Sequence, residues 1–249
     1  MSRIKLLLEY DGSNYHGFQL QKNANTVQAE LEKAIYRLSG ERATIVCAGR
    51  TDAGVHAWGQ VVAFDSCSTI PGDRWAYALN SQLPEDIQVL ESQETRAEFN
   101  PRFDALKKCY GYLIYRQKKK ATFYRHYALC NTEPLKLEAM QEAAEILKGR
   151  QNFRSFCASG SSARTFEREI FHCRLSEKGP CLLLHIAADG FLYNMVRIIT
   201  GTLLEVGKGK YPPQHLREII ASQDRTRAGP TAPPQGLYLL QVFYPEDSK

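Results

Sequence analysis

The chain has 249 residues, 43% of them hydrophobic, enough for a well-buried core as one large or two smaller domains. Its net charge of +5 permits a polyanionic partner without requiring one. Seven scattered cysteines, an odd total with no C-x-x-C pair, speak against a disulfide framework or a zinc site and for a reducing cytoplasm. No phosphate loop and no dinucleotide-binding glycine motif occurs, so metal- and nucleotide-free chemistry is expected. The opening Met1-Ser2-Arg3-Ile4-Lys5 leads into no long apolar stretch, so no secretory signal is expected. The longest apolar region, residues 191–206, contains Asn194, Arg197 and Glu205 and is not expected to span a membrane.

Residues 4–10 read as a first strand, closed by the turn signal Asp11-Gly12. A polar loop follows, with the rings Tyr15, His16 and Phe18 and the glutamines Gln19 and Gln21. Thr26 is placed to cap a helix running to Leu38, with Val27, Leu31, Ile35 and Leu38 on one face. The β-branched run 44–47 reads as a strand entering the core, and 60–64 as another. Pro71 opens a helix to about Ser81, with Trp75, Ala78 and Leu79 facing inward; Pro84 ends it, and 87–90 is a strand. This order is the split βαβ pattern of an antiparallel sheet with helices on one face.

The second half follows a similar plan. Residues 110–115 alternate as a strand, 137–147 form a helix, and 166–175 with 181–187 form a strand pair around Lys178-Gly179-Pro180. An apolar helix over 191–206, a short one over 213–221 and a closing strand over 237–244 complete it. The expected fold is α+β: two ferredoxin-like halves, 1–104 and 105–249, with a mainly antiparallel central sheet, helices on the outer face and a cleft between the halves.

Three features point to chemistry. The loop Gly49-Arg50-Thr51-Asp52-Ala53-Gly54 presents one carboxylate at a strand end, with a guanidinium two residues away that favours its charged form. Taken alone, an Asx-turn with a surface ion pair to Arg50 is the commoner origin of such a loop carboxylate. Between Arg102 and Arg125, eight Lys/Arg and six aromatic rings stand against one acid, Asp104. Cations neutralise phosphates and rings stack on unpaired bases, so Lys107, Lys108, Lys118, Lys119 and Lys120 are RNA-contact candidates, joined by Gln19, Arg164 and Arg168. A hairpin with a solvated tip and core tyrosines fits the same stretch. Finally, Arg197 sits mid-way in the apolar helix, where an unpartnered guanidinium is very unfavourable, so it is expected to meet a carboxylate or a phosphate; Asp189 is placed to cap that helix. Placing Asp52, Arg197 and Tyr112 in one cleft satisfies all three. A lone carboxylate suits attack on a sugar, stabilisation of an oxocarbenium-like centre or proton transfer; a glycosidase would want two.

Five motifs now occur in one order: Tyr10-Asp11-Gly12 with Gly17-Phe18-Gln19 and Gln21; Thr26-Val27-Gln28 with Leu31-Glu32; Ala48-Gly49-Arg50-Thr51-Asp52-Ala53-Gly54-Val55-His56-Ala57 with Gly59-Gln60-Val61; Phe191-Leu192-Tyr193-Asn194-Met195-Val196-Arg197 with Gly201; and Ala228-Gly229, Thr231-Ala232-Pro233 and Gly236-Leu237-Tyr238-Leu239. Together they resemble the tRNA pseudouridine synthases of the A family, which modify the anticodon stem-loop. Glu167 departs from the pattern, where relatives often carry an apolar side chain. The resemblance implies a catalytic carboxylate at Asp52, an active-site tyrosine at Tyr112, a basic partner at Arg197 and a role for Arg50 in handling the flipped nucleotide. It further implies tRNA as substrate, at positions 38 to 40, a cytoplasmic homodimer whose RNA cleft draws on both subunits, and no cofactor. Two other readings compete: a non-catalytic RNA-binding protein, indifferent to Asp52→Asn, and a nucleic-acid glycosylase, which would release free uracil.

Overall fold

The structure is a computed structural model and describes residues 1–117 and 121–245; Lys118, Lys119 and Lys120 lie outside the described residues. The elements in chain order are β1 (Ser2–Tyr10), α1 (Val27–Ser39), β2 (Val46–Cys47), β3 (His56–Ser66), α2 (Trp75–Asn80), β4 (Ile87–Thr95), β5 (Lys107–Arg116), β6 (Leu129–Asn131), α3 (Leu137–Ile146), β7 (Gly149–Asn152), β8 (Glu167–Lys178), β9 (Cys181–Ala188), α4 (Met195–Gly207), α5 (His215–Ser222) and β10 (Leu237–Phe243). The fold is α+β with mostly antiparallel pairing. Two compact units result: Met1–Leu106 with the chain from Tyr238 onward, and Lys107–Leu237.

In the first unit β1 is central. Its alternate residues Ile4, Leu6, Leu8 and Tyr10 are buried, as a strand with one face on a core requires. β4 and β3 flank it antiparallel, with Leu6 opposite Val62. β2 pairs antiparallel with β3, and β10 runs parallel to β3 at Tyr238–His56 and Leu239–Ala57. The closing strand, expected with the second half, therefore belongs to this unit, where Leu106 N also donates to Phe243 O at 2.9 Å. Thr26 caps α1 as expected, accepting from Ala29 N at 3.3 Å. Val27, Leu31, Ala34 and Ile35 of α1 are buried, and Trp75 of α2 meets Phe64 edge-on at 5.1 Å.

Three local expectations for this unit shift. The strand before the Asp52 loop is two half-buried residues, and only the preceding Ile45 is buried, because β2 sits on the outer edge of β3. Conversely, β3 begins at His56, inside the motif that reads as a loop, because Ala57 is already paired with Tyr10. The helix after Pro71 opens as a 3-10 turn, Gly72–Arg74, before α2.

The second unit carries the antiparallel order β5-β9-β8-β7, with Tyr112 opposite Leu184, and β6 parallel to the end of β5. α3 packs on β8 and α4. β6 and β7 are short and, as Leu-Cys-Asn and Gly-Arg-Gln-Asn, show no alternation to read. α4 starts at Met195 rather than Phe191, because Asn194 takes a left-handed φ of 60° that no helix interior accommodates. Asp189 does not cap it; its Oδ1 accepts from Glu169 N at 3.0 Å. Glu167, the departure from the family pattern, is exposed at the start of β8. Among the described residues no helix is long and apolar enough to cross a membrane.

Candidate active site

Asp52 is half-buried at the start of a turn closed by Val55 N donating to Asp52 O at 3.1 Å. The third turn residue, Gly54, has φ 74°, the geometry of a type II turn that glycine supplies without strain. The loop after β1 is laced to this turn. Phe18 N donates to Thr51 O at 3.0 Å and Gly54 N to Tyr15 O at 3.3 Å. A Cβ on Gly17 would lie 2.7 Å from Thr51 O, so this close approach needs a glycine. The two sequence motifs flanking α1 are thus one structure, which places exposed Gln19 beside the Asp52 loop. Arg50 is exposed two residues before Asp52.

His56 seals the floor of the turn. It is 2% exposed, and its ring stacks on Tyr238 at 4.8 Å. Its Nδ1 lies 3.1 Å from both Gly12 N and Asp11 Oδ1. A neutral Nδ1 accepts from Gly12 N; a protonated one donates to Asp11.

Tyr112 and Arg197 are brought together in the second unit. Arg197 donates from Nε to Ala232 O at 2.7 Å and from a terminal nitrogen to Asn194 Oδ1 at 2.7 Å, while Ala232 N donates to Arg197 O at 3.1 Å. Each of these two donors meets a neutral oxygen. The next carbonyl, Pro233 O, accepts from the Tyr112 hydroxyl at 2.7 Å. Tyr112 is fully buried, which pushes its hydroxyl well above the ordinary tyrosine value, partly offset by the Arg197 charge. A stack of this ring on a base therefore requires the structure to open over it. Arg225, which the sequence reading passed over, clips the same segment by donating to Gly229 O at 3.0 Å and Thr231 Oγ1 at 3.1 Å. A backbone carbonyl carries no side-chain signature, so nothing in the sequence marks Gly229 O as a partner.

Lys107 and Lys108 are half-buried on β5 and Arg164 is exposed. Arg168 is committed locally, donating to Thr165 O at 3.2 Å and Glu167 O at 2.5 Å. Beyond the lysine run Phe123 is 89% exposed, whereas Tyr115 and Tyr124 stack on each other at 4.2 Å. Among the described residues no group of His, Cys, Asp and Glu is arranged to hold a metal ion.

Burial also raises the Tyr10 hydroxyl. Tyr10 and Tyr112 therefore stay protonated in the folded chain above the ordinary tyrosine pKa of 10.0, where an unfolded chain ionises. Their stabilisation is complete below that pH and declines above it, by about 1.4 kcal/mol per pH unit for each. Alkaline unfolding with a further rise of tyrosinate absorbance at the unfolding transition is the expected result of a pH titration; the complete signal of all 13 tyrosines appearing before unfolding would contradict it.

A family model described as tRNA pseudouridine synthase matches residues 7–104 and 143–245. A protein of Acetivibrio thermocellus named tRNA pseudouridine synthase A is 50% identical over 244 residues, covering 98% of this chain and 100% of its own. One of the same name from Moorella thermoacetica is 48% identical over 246 residues, and one from Caldicellulosiruptor bescii 45% over 244, each covering 98% of this chain and 100% of its own.

Proposed function

Because the chain belongs to the tRNA pseudouridine synthase family and isomerises uridine to pseudouridine in tRNA, we propose that its target is the anticodon stem-loop and that Asp52 is the catalytic carboxylate. The observation that carries the proposal is a half-buried carboxylate on a turn that the loop after β1 binds on either side of Asp52, at Thr51 and Gly54, within the matched region.

In the proposed reaction the target uridine is extruded from the stack, at a cost of a few kcal/mol, roughly, that loops and stem ends reduce. Asp52 acts on the ribose, as nucleophile at C1′ or as base at C2′. The N1–C1′ bond breaks, the retained uracil turns, C5 bonds to C1′, and the C5 proton leaves. Arg197 supplies positive charge to hold Asp52 ionised, Arg50 handles the flipped nucleotide, and Tyr112 packs against the base. With its hydroxyl neutral and donating to Pro233 O, Tyr112 is set up as a donor rather than a base. Exclusion of water keeps the detached base from being lost.

Gln19, Lys107, Lys108, Lys118, Lys119, Lys120 and Arg164 are proposed to meet tRNA phosphates or bases, with Arg168 shaping the surface beside Arg164. The finer architecture is proposed as two ferredoxin-like halves, with helices on the outer face and a cleft between them. The antiparallel order β4-β1-β3-β2 of the first unit supports this. A cytoplasmic homodimer is proposed from the family resemblance, and the seven free cysteines support a reducing compartment.

The test is tritium release from tRNA labelled at uridine C5, with free uracil assayed alongside. Release without free uracil is expected. Free uracil would identify a glycosylase, and tRNA binding without release an RNA-binding protein.

A further inference from the structure

Hydrogen bonds from two strands converge beneath the Asp52 loop. Gln60, fully buried on β3, donates one amide N–H to Gly49 O at 2.7 Å and aims the other at the Tyr10 hydroxyl at 3.5 Å. Tyr10, at the end of β1, is 4% exposed and kept neutral by burial, and its hydroxyl shares a hydrogen bond with Thr51 Oγ1 at 2.7 Å in which either oxygen can donate. Thr51 adjoins Asp52, and Gly49 lies on the other side of Arg50. Two neighbouring strands thus grip the loop backbone from within the sheet, through bonds strengthened by a low local dielectric.

The grip is not an optimum for stability. Gln60 Oε1 is buried with no hydrogen-bond partner among the described residues, and an acceptor so placed is destabilising. An apolar side chain at this point of β3 would avoid that loss. What the amide adds is two bonds, one to the Asp52 loop at Gly49 O and one to the Tyr10 hydroxyl that meets the loop at Thr51.

We propose that Tyr10 and Gln60 are positioning residues for the isomerisation: through Thr51 and Gly49 they hold the Asp52 carboxylate in its reacting orientation. The inference rests on Asp52 being the catalytic carboxylate. A displacement of about 1 Å at a reacting group costs on the order of a hundredfold in rate, whereas substrate affinity depends on contacts elsewhere.

The experiment compares Tyr10→Phe, Thr51→Val, the double variant, Thr51→Ser and Gln60→Met by tritium release from C5-labelled tRNA, with Asp52→Asn and the unfolding midpoint measured alongside. Tyr10→Phe and Thr51→Val are each expected to lower kcat by about tenfold to a hundredfold, with KM within about twofold of the parent. The double variant should be no slower than the slower single, because both remove one bond. Thr51→Ser, which keeps the hydroxyl, should recover most of kcat. Gln60→Met removes the orphan acceptor but also the donor to Gly49 O, so the two effects on the unfolding midpoint oppose each other and it should stay near the parent while kcat falls; a purely structural role predicts a lower midpoint with parental kcat. Parental kcat in Tyr10→Phe and Gln60→Met, with Asp52→Asn inactive, would overturn the positioning role alone. Multiplying losses in the double variant would also overturn it. An active Asp52→Asn enzyme would overturn the reading beneath it.

Discussion

Asp52→Asn is expected to reduce tritium release from C5-labelled tRNA by about 10⁴-fold or more, the scale seen when an essential catalytic group is removed. The substitution is nearly isosteric. The turn is closed through the Asp52 backbone carbonyl and shaped by Gly54, neither of which changes. Stability and tRNA affinity are therefore expected to stay close to the parent, so that the loss falls on kcat. An amide is a poor nucleophile at C1′ and a poor base at C2′, so the prediction holds for either first step. A variant that bound tRNA normally and still released tritium at a tenth of the parental rate would remove Asp52 from the chemistry.

Gly201→Ala carries the largest expected cost to the fold. A Cβ at this position of α4 would lie 1.8 Å from Pro230 O, so the helix and the segment that includes Pro230 cannot both keep their places. Overpacking of this kind costs about 3 kcal/mol, visible as a lower urea midpoint with an unchanged slope. The consequence for activity is specific. The same segment supplies Ala232 O to Arg197 and Pro233 O to Tyr112, so moving it disturbs both residues at once. Folded Gly201→Ala protein is therefore expected to show lower kcat as well. Unchanged midpoint and unchanged activity together would show that the segment yields without consequence.

This contact also explains why two motifs far apart in the chain accompany each other. The helix motif ending in Arg197 and Gly201 and the later run Ala228-Gly229 to Gly236 form one packed structure, in which Gly229 N also donates to Thr202 Oγ1 at 2.9 Å. Likewise the loop after β1 and the Asp52 turn are two motifs laced into one site.

Local pattern determined a good deal of the fold. β1 shows in its alternation and α1 in its threonine cap and apolar stripe, because both signals lie within a few residues and arise from backbone geometry. The Asp52 turn was legible for a similar reason: a carboxylate between glycines is a local arrangement. β6 and β7 left no such trace, since three or four residues cannot express a period, and β2 showed only as a β-branched run longer than the strand that forms. The placement of β10 beside β3 was out of reach too, as parallel pairing depends on a partner well over a hundred residues away. Side-chain partners followed the same division. The sequence marked Arg197 and Tyr112 as residues to be accounted for, but only the tertiary structure decided that the carbonyls of Ala232 and Pro233 would meet them. The network of Tyr10, Gln60 and Thr51 joins residues 41 and 50 positions apart. A buried polar group must find a hydrogen bond, and composition states that need; which atom answers it is set by long-range packing.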